Sequence, residues 1–306
     1  MKPLFVSILI LGGLVGNVLA YPISPRPLRK LIMESEFIII GHVDAIKSVK
    51  VKKDDFFGGS IAEVKVTEVL KGIVKERIIS IPFNSNMICP APPHFQENTD
   101  VIVFLDKDDN KNYHIHALSY GLKTRSLNEI EVYKSRINEM QQILLITDKD
   151  QQFVESTEWL VKCCENPATR YEGVYELSPE SDFMSYYDRT ESQPFQYELS
   201  VDQKMRLKAA LLSTTEISYH DFGLVDLVYP ENKEEVFNYL LNTLQHLKQD
   251  DLWLADECMK RLCYVKTSDR LEKLVADFDH KKYGEDKDRK ELPSILTNFI
   301  QEIQKM

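Results

Sequence analysis

The sequence predicts an α+β chain in which a small five-stranded β-barrel precedes an all-helical domain. Three observations carry this. Between Glu36 and Leu118, apolar residues alternate with polar ones or form short unbroken runs, separated by turns rich in Gly, Asn and Asp. Beyond Gln152 the strand signal vanishes, and apolar residues recur three and four apart. Some 286 residues follow an N-terminal export signal, enough for two domains of ordinary size.

The export signal occupies residues 1–20. Lys2 supplies a positive start, and Leu4 to Val15 is apolar except for Ser7 and the Gly12-Gly13 pair. Val18-Leu19-Ala20 places small or β-branched side chains where signal peptidase reads them, so cleavage is expected after Ala20. The run falls short of the roughly 20 apolar residues of a membrane-spanning helix. Pro22, Pro25 and Pro27 then break helical continuation. The mature chain is therefore expected to begin at Tyr21 and to be secreted or periplasmic, with no transmembrane segment once the signal is removed. An uncleaved anchor is the alternative.

In the first domain, expected over residues 21–147, Phe37-Ile38-Ile39-Ile40 is a buried run continued by Val43, Ala45 and Val49. A turn with Gly58-Gly59 leads to Ala62, Val64 and Val66, which alternate strictly with Glu63, Lys65 and Thr67 as a half-buried strand does. Val69-Leu70 breaks that parity and predicts a bulge. Ile78 to Phe83 forms a third strand and Val101 to Leu105 a central apolar fourth. A polar hairpin turn over Asp106 to Asn112 then precedes a fifth strand at Tyr113, Ile115 and Ala117. Five short strands with polar turns suit a small closed barrel of the OB type. Ser126 and Glu129 have capping-box spacing and start a helix carrying Ile130, Tyr133, Ile137, Met140 and Leu144.

Thr147 to Gln152 is charged and serves as the boundary, with the helical domain expected over residues 148–306. Its helices are predicted at Phe153 to Cys164, Val201 to Thr214, Lys233 to Lys248, Leu252 to Cys263, Ser268 to Asp279 and Pro293 to Gln304. Leu177 to Leu199 reads as a long surface loop. The short connections imply neighbouring helices packed together, but no fixed repeat period is present.

Charge narrows the partners. Removing Lys2 with the signal leaves 37 basic residues against 48 acidic ones, a net charge near −11. That balance repels phosphate backbones, so nucleic acid is excluded as a partner. Of the five cysteines, Cys163, Cys164, Cys258 and Cys263 are disulfide candidates, by a bridge between the two pairs; buried thiols are the alternative. No CxxC spacing is present, and neither cofactor nor metal is expected. His114 and His116 lie two apart on a strand without a third ligand nearby, and Asp106 to Asn112 lacks the Gly and Glu of a calcium loop.

The stretches Phe37 to Val43, Ala62 to Gly72, and Cys89 followed by Phe95 to Leu105 together resemble the TIMP/netrin-like OB-fold family, especially its bacterial secreted members, over about residues 31–120. Trp159 to Gly173 is similar to the tail of such proteins. The resemblance implies an OB fold. In the family's metalloprotease inhibitors a Cys at the mature N-terminus binds the protease zinc. Here Tyr21-Pro22-Ile23-Ser24 stands there instead, so the resemblance does not extend to inhibition.

The segment Asn166 to Gly173, read as a loop, is the most chemically loaded, with Thr169, Arg170 and Glu172 close together beside aromatic residues. Arg170 either pairs with a carboxylate at the domain junction or contacts a ligand. Phe95, after Pro90-Ala91-Pro92-Pro93-His94, and Tyr186-Tyr187 are further ligand-contact candidates. No G-x-S-x-G, HExxH, P-loop or dinucleotide fingerprint occurs, and no catalytic residue is assigned. The expected function is that of an exported, non-enzymatic protein binding a protein, peptide or glycan. The alternatives are an unrecognised secreted hydrolase, or a protease inhibitor lacking the N-terminal Cys.

Overall fold

The computed structural model describes residues 25–50, 59–84, 92–179, 198–247 and 251–306. The export signal, Cys89, Pro90 and Tyr186-Tyr187 lie outside the described residues. Among these residues, no helix is long and apolar enough to cross a membrane.

The chain is mixed α+β. After a short helix, α1 (Leu28–Glu34), come β1 (Phe37–Ser48), β2 (Ser60–Lys71), β3 (Ile78–Phe83), β4 (Asp100–Lys107), β5 (Tyr113–Ile115) and β6 (Leu122–Thr124). They form one antiparallel sheet in the order β3-β2-β1-β4-β5, with β6 also paired to β4. The count is six strands rather than five, and β6 is too short for alternation to reveal it. The barrel is also not closed, because no ladder among the described residues joins β3 to β5. Those edges do approach each other, and Tyr113 Oη donates to Glu76 Oε2 at 3.0 Å across the gap.

Strand sequence follows burial. β1 and β4 are covered on both faces: Ile39, Val101, Val103 and Leu105 face an inner core with Val64 and Ile81, while Ile38, Ile40, Ile102 and Phe104 face helices. Two apolar faces give an unbroken apolar run. β2 is covered chiefly on one, hence its alternation. The predicted bulge is present: Ile38 pairs with Lys71 and Ile39 with Val69, leaving Leu70 between them. The Asp108–Asn112 turn closes on itself, with Asp108 Oδ1 accepting from the Asn112 amide at 2.8 Å.

Helix α2 (Leu127–Leu144) starts at the expected capping box, where Glu129 Oε2 accepts from the Ser126 amide at 3.0 Å. Helix α3 (Lys149–Glu165) begins inside the charged stretch read as a boundary, because Asp148 Oδ1 caps the amides of Asp150 and Gln151. Next come α4 (Arg170–Leu177), in a segment expected to be a loop, α5 (Val201–Leu212), α6 (Phe222–Val228) and α7 (Lys233–His246). The chain ends with α8 (Leu252–Val265), α9 (Asp269–Lys282), α10 (Asp286–Arg289) and α11 (Leu292–Ile303).

Helix α3 is the wall shared by two cores. Trp159, Leu160 and Cys163 pack with α1, α2 and the outer sheet face. Val161 and Cys164, one step round the helix, pack into the core of the later helices. The four described cysteines are free thiols: Cys163 lies in the sheet-side core, while Cys164, Cys258 and Cys263 share the core of the later helices. Burial pushes the Cys258 thiol up to about 12 and that of half-buried Cys263 to about 11.

Candidate functional site

The C-terminal end of α3 leaves backbone carbonyls to be satisfied, and Thr169 and Arg170 do this. Thr169 Oγ1 donates to Cys163 O at 3.1 Å, and Arg170 Nε donates to Cys164 O at 3.0 Å. Arg170 Nη1 also donates to Thr214 Oγ1 and to Asp221 Oδ1, both at 2.9 Å. Asp221 in turn accepts from the amide and hydroxyl of Ser218 through Oδ2, each at 2.7 Å. The planar guanidinium thus ties α3 to the α5–α6 connection, which a point charge cannot do from one position.

Two residues on, Glu172 is 1% exposed and joins four elements. Its Oε2 accepts from the Leu28 amide of α1 at 2.8 Å. Its Oε1 accepts from Tyr133 Oη of α2 at 3.0 Å and lies 2.8 Å from Lys123 Nζ of β6. Burial, reinforced by the Glu172 charge, drives the Tyr133 phenol far above its ordinary range. Gly173 completes the fit. A Cβ there would sit 2.3 Å from Leu160 O and 2.7 Å from Cys164 Sγ, so only glycine lets α4 lie this close to α3.

Above this network opens a cleft of about 950 Å³, at the upper end of the range of small-ligand sites. Tyr120, Lys123 and Arg125 line its sheet side, Tyr171 lies on α4, and Ser213 to Glu216 with Ser218 to Asp221 line the far side. Tyr171 meets the exposed His220 ring edge-on at 4.6 Å between centroids. Glu165, also at the cleft, is held by Arg206 in a bidentate pair at 2.7 Å.

The structure brings three sequence candidates together and leaves the fourth apart. Arg170 and Glu172 line the cleft but are 6% and 1% exposed and fully engaged in ion pairs, while Thr169 is wholly buried as a cap. Of the two roles open to Arg170, the structure shows the carboxylate pairing. Phe95 lies in the inner core of the sheet, 5.2 Å from Phe83 between ring centroids, and is no part of the cleft. His116 is taken up by Asp106 at 2.6 Å and Glu34 at 3.2 Å. Among the described residues, no group of three or more His, Cys, Asp or Glu could hold a metal ion. The sequence singles out none of Lys123, Arg125, Glu216, Tyr219 and Asp221, and offers His220 only as one of several scattered histidines that could serve Cys163 or Cys164 as a base. Of these, only Tyr219-His220-Asp221, an aromatic–His–acid triplet, carries a local signal.

The cleft thus has an internally neutralised floor and a mouth of tyrosines, hydroxyls and one histidine. Its buried acids are held by cations, so neither is poised as a free general base. Compared with known proteins, the chain matches no protein-family model and no curated protein.

Proposed function

We propose that this protein is an exported, non-enzymatic binding protein, and that the cleft between the sheet and the helices is its ligand site. One observation carries the reading. The ionic groups of the floor are paired among themselves, whereas the half-buried Tyr120, Tyr171 and Tyr219, exposed His220 and Thr215 line the opening beside Ser213 and Ser218, whose hydroxyls are held by Ala210 O and Asp221. Aromatic area with a few polar groups is the composition of recognition surfaces. Hydrolysis instead needs a nucleophile or water beside an uncommitted base.

The strand order and the near approach of β3 and β5 support an OB-like module of the TIMP/netrin type. The absence of Cys from Tyr21-Pro22-Ile23-Ser24 argues against zinc-directed inhibition. Secretion or periplasmic residence rests on residues 1–20.

The test is to screen the exported protein against short-peptide and glycan arrays beside Tyr171→Ala and His220→Ala variants. A ligand held by the wild type and weakened about tenfold or more by either variant supports the site. The reading fails if neither array yields a ligand, or if both variants bind as the wild type does.

A further inference from the structure

The charges of the cleft are not all spent on one another. Lys123 is paired with Glu172, Arg170 with Asp221, and Glu165 with Arg206. Two remain. Arg125, half-buried on the sheet side, donates from Nη1 to Thr124 O at 2.9 Å and lies over the Tyr133 ring at 5.7 Å; the Glu129 and Glu172 charges and Tyr133 reach it, but it makes no close ion pair among the described residues. The carboxylates near it are committed, Glu129 to Ser126 and Glu172 to Lys123. Glu216, exposed on the α5–α6 connection, likewise makes no ion pair among the described residues. Both line the same cleft.

A guanidinium held against an aromatic ring presents a planar donor fork suited to a carboxylate. A free carboxylate in the same cleft attracts a cation. An acidic sugar would use the first group and leave the second idle, whereas a short peptide carries both charges. Resting on the cleft reading above, we propose that the ligand is a short zwitterionic peptide, its C-terminal carboxylate on Arg125 and its ammonium toward Glu216, with side chains among the tyrosines.

The two contacts differ in strength. Hydrogen bonds between charged groups in a half-buried setting are worth about ten- to a hundredfold in affinity. An exposed pair is worth only about two- to fivefold.

The experiment uses a random tripeptide library in three forms: free at both ends, N-acetylated and C-amidated. Each is titrated by calorimetry into the wild type, Arg125→Gln, Arg125→Lys and Glu216→Gln, with a uronate oligosaccharide alongside. Amidation is expected to weaken binding about ten- to a hundredfold in the wild type and to have no effect in Arg125→Gln, with partial return in Arg125→Lys. Acetylation is expected to cost about two- to fivefold, and nothing in Glu216→Gln. Arg125→Gln must melt with the wild type, which separates lost contact from lost fold. Equal binding of free and amidated peptides overturns the proposal. So does uronate or neutral-glycan binding without peptide binding, although the cleft reading then survives. Absence of any ligand overturns both.

Discussion

Replacing Glu172 by glutamine removes one charge from the junction while keeping the shape. Lys123, 8% exposed, then lacks its only ion pair among the described residues, and the Leu28 amide and Tyr133 hydroxyl must share one carbonyl acceptor instead of two carboxylate oxygens. Leaving a buried charge without its partner costs about 3–5 kcal/mol. For a chain of this size each kcal/mol lowers the melting temperature by about 2 °C, so Glu172→Gln should melt roughly 6–10 °C below the wild type. Calorimetry measures this directly. Adding Lys123→Met removes the stranded charge, and the double variant should regain at least half of the loss, since deleting both members of a buried pair is close to neutral. A single variant melting within about 2 °C of the wild type would refute the reasoning, as would a double variant less stable than the single.

Three further outcomes follow from the same packing. Gly173→Ala forces a methyl against Leu160 O and Cys164 Sγ, and should lower the unfolding free energy in urea by about 1–3 kcal/mol; an unchanged midpoint would show that α3 and α4 separate freely. With thiols raised by burial, iodoacetamide at neutral pH should, among the four described cysteines, label Cys263 first, and Cys163, Cys164 and Cys258 only after unfolding. Rapid native labelling of Cys163, or a linked Cys164–Cys258 peptide on non-reducing mass mapping, would contradict this. Burial holds the Glu176 carboxyl above its ordinary range despite the Arg29 guanidinium. The native state therefore keeps a proton that the unfolded chain releases, so stability should fall as pH rises from the ordinary carboxylate range toward the native value. That slope should flatten in Glu176→Gln, and an equal slope would discount Glu176 as its source.

The strands were legible because burial on one face or two writes itself directly into alternation or unbroken runs, and Val69-Leu70 even disclosed its bulge. The long helices were legible for the same reason. Helix α1 was not, because seven residues after a run of prolines give too little periodicity. Helix α4 was hidden because its buried face carries Arg170, Glu172 and Gly173, residues that read as a polar loop until their partners are known. Those partners lie far along the chain: Leu28 and Lys123 before them, Asp221 after. Thr169, Arg170 and Glu172 were therefore chosen for the right density of chemistry, but whether they meet one another or a ligand is a property of distant sequence. Phe95 was misplaced for the opposite reason, since an aromatic beside prolines and a histidine looks exposed until the sheet folds over it.

The bond between the Leu28 amide and Glu172 spans 144 residues of chain, and Arg29 reaches Glu176 across 147. Every strand ladder among the described residues, by contrast, closes within residues 37–124. At synthesis rates of about 5–20 residues per second, the carboxylate follows the amide by roughly 7–30 s. The sheet can therefore be complete while the helix that precedes it still awaits its anchor, because the most distant contacts carry the largest closure entropy. The first helix of the described residues is thus fastened at Leu28 only after the sheet that follows it can close.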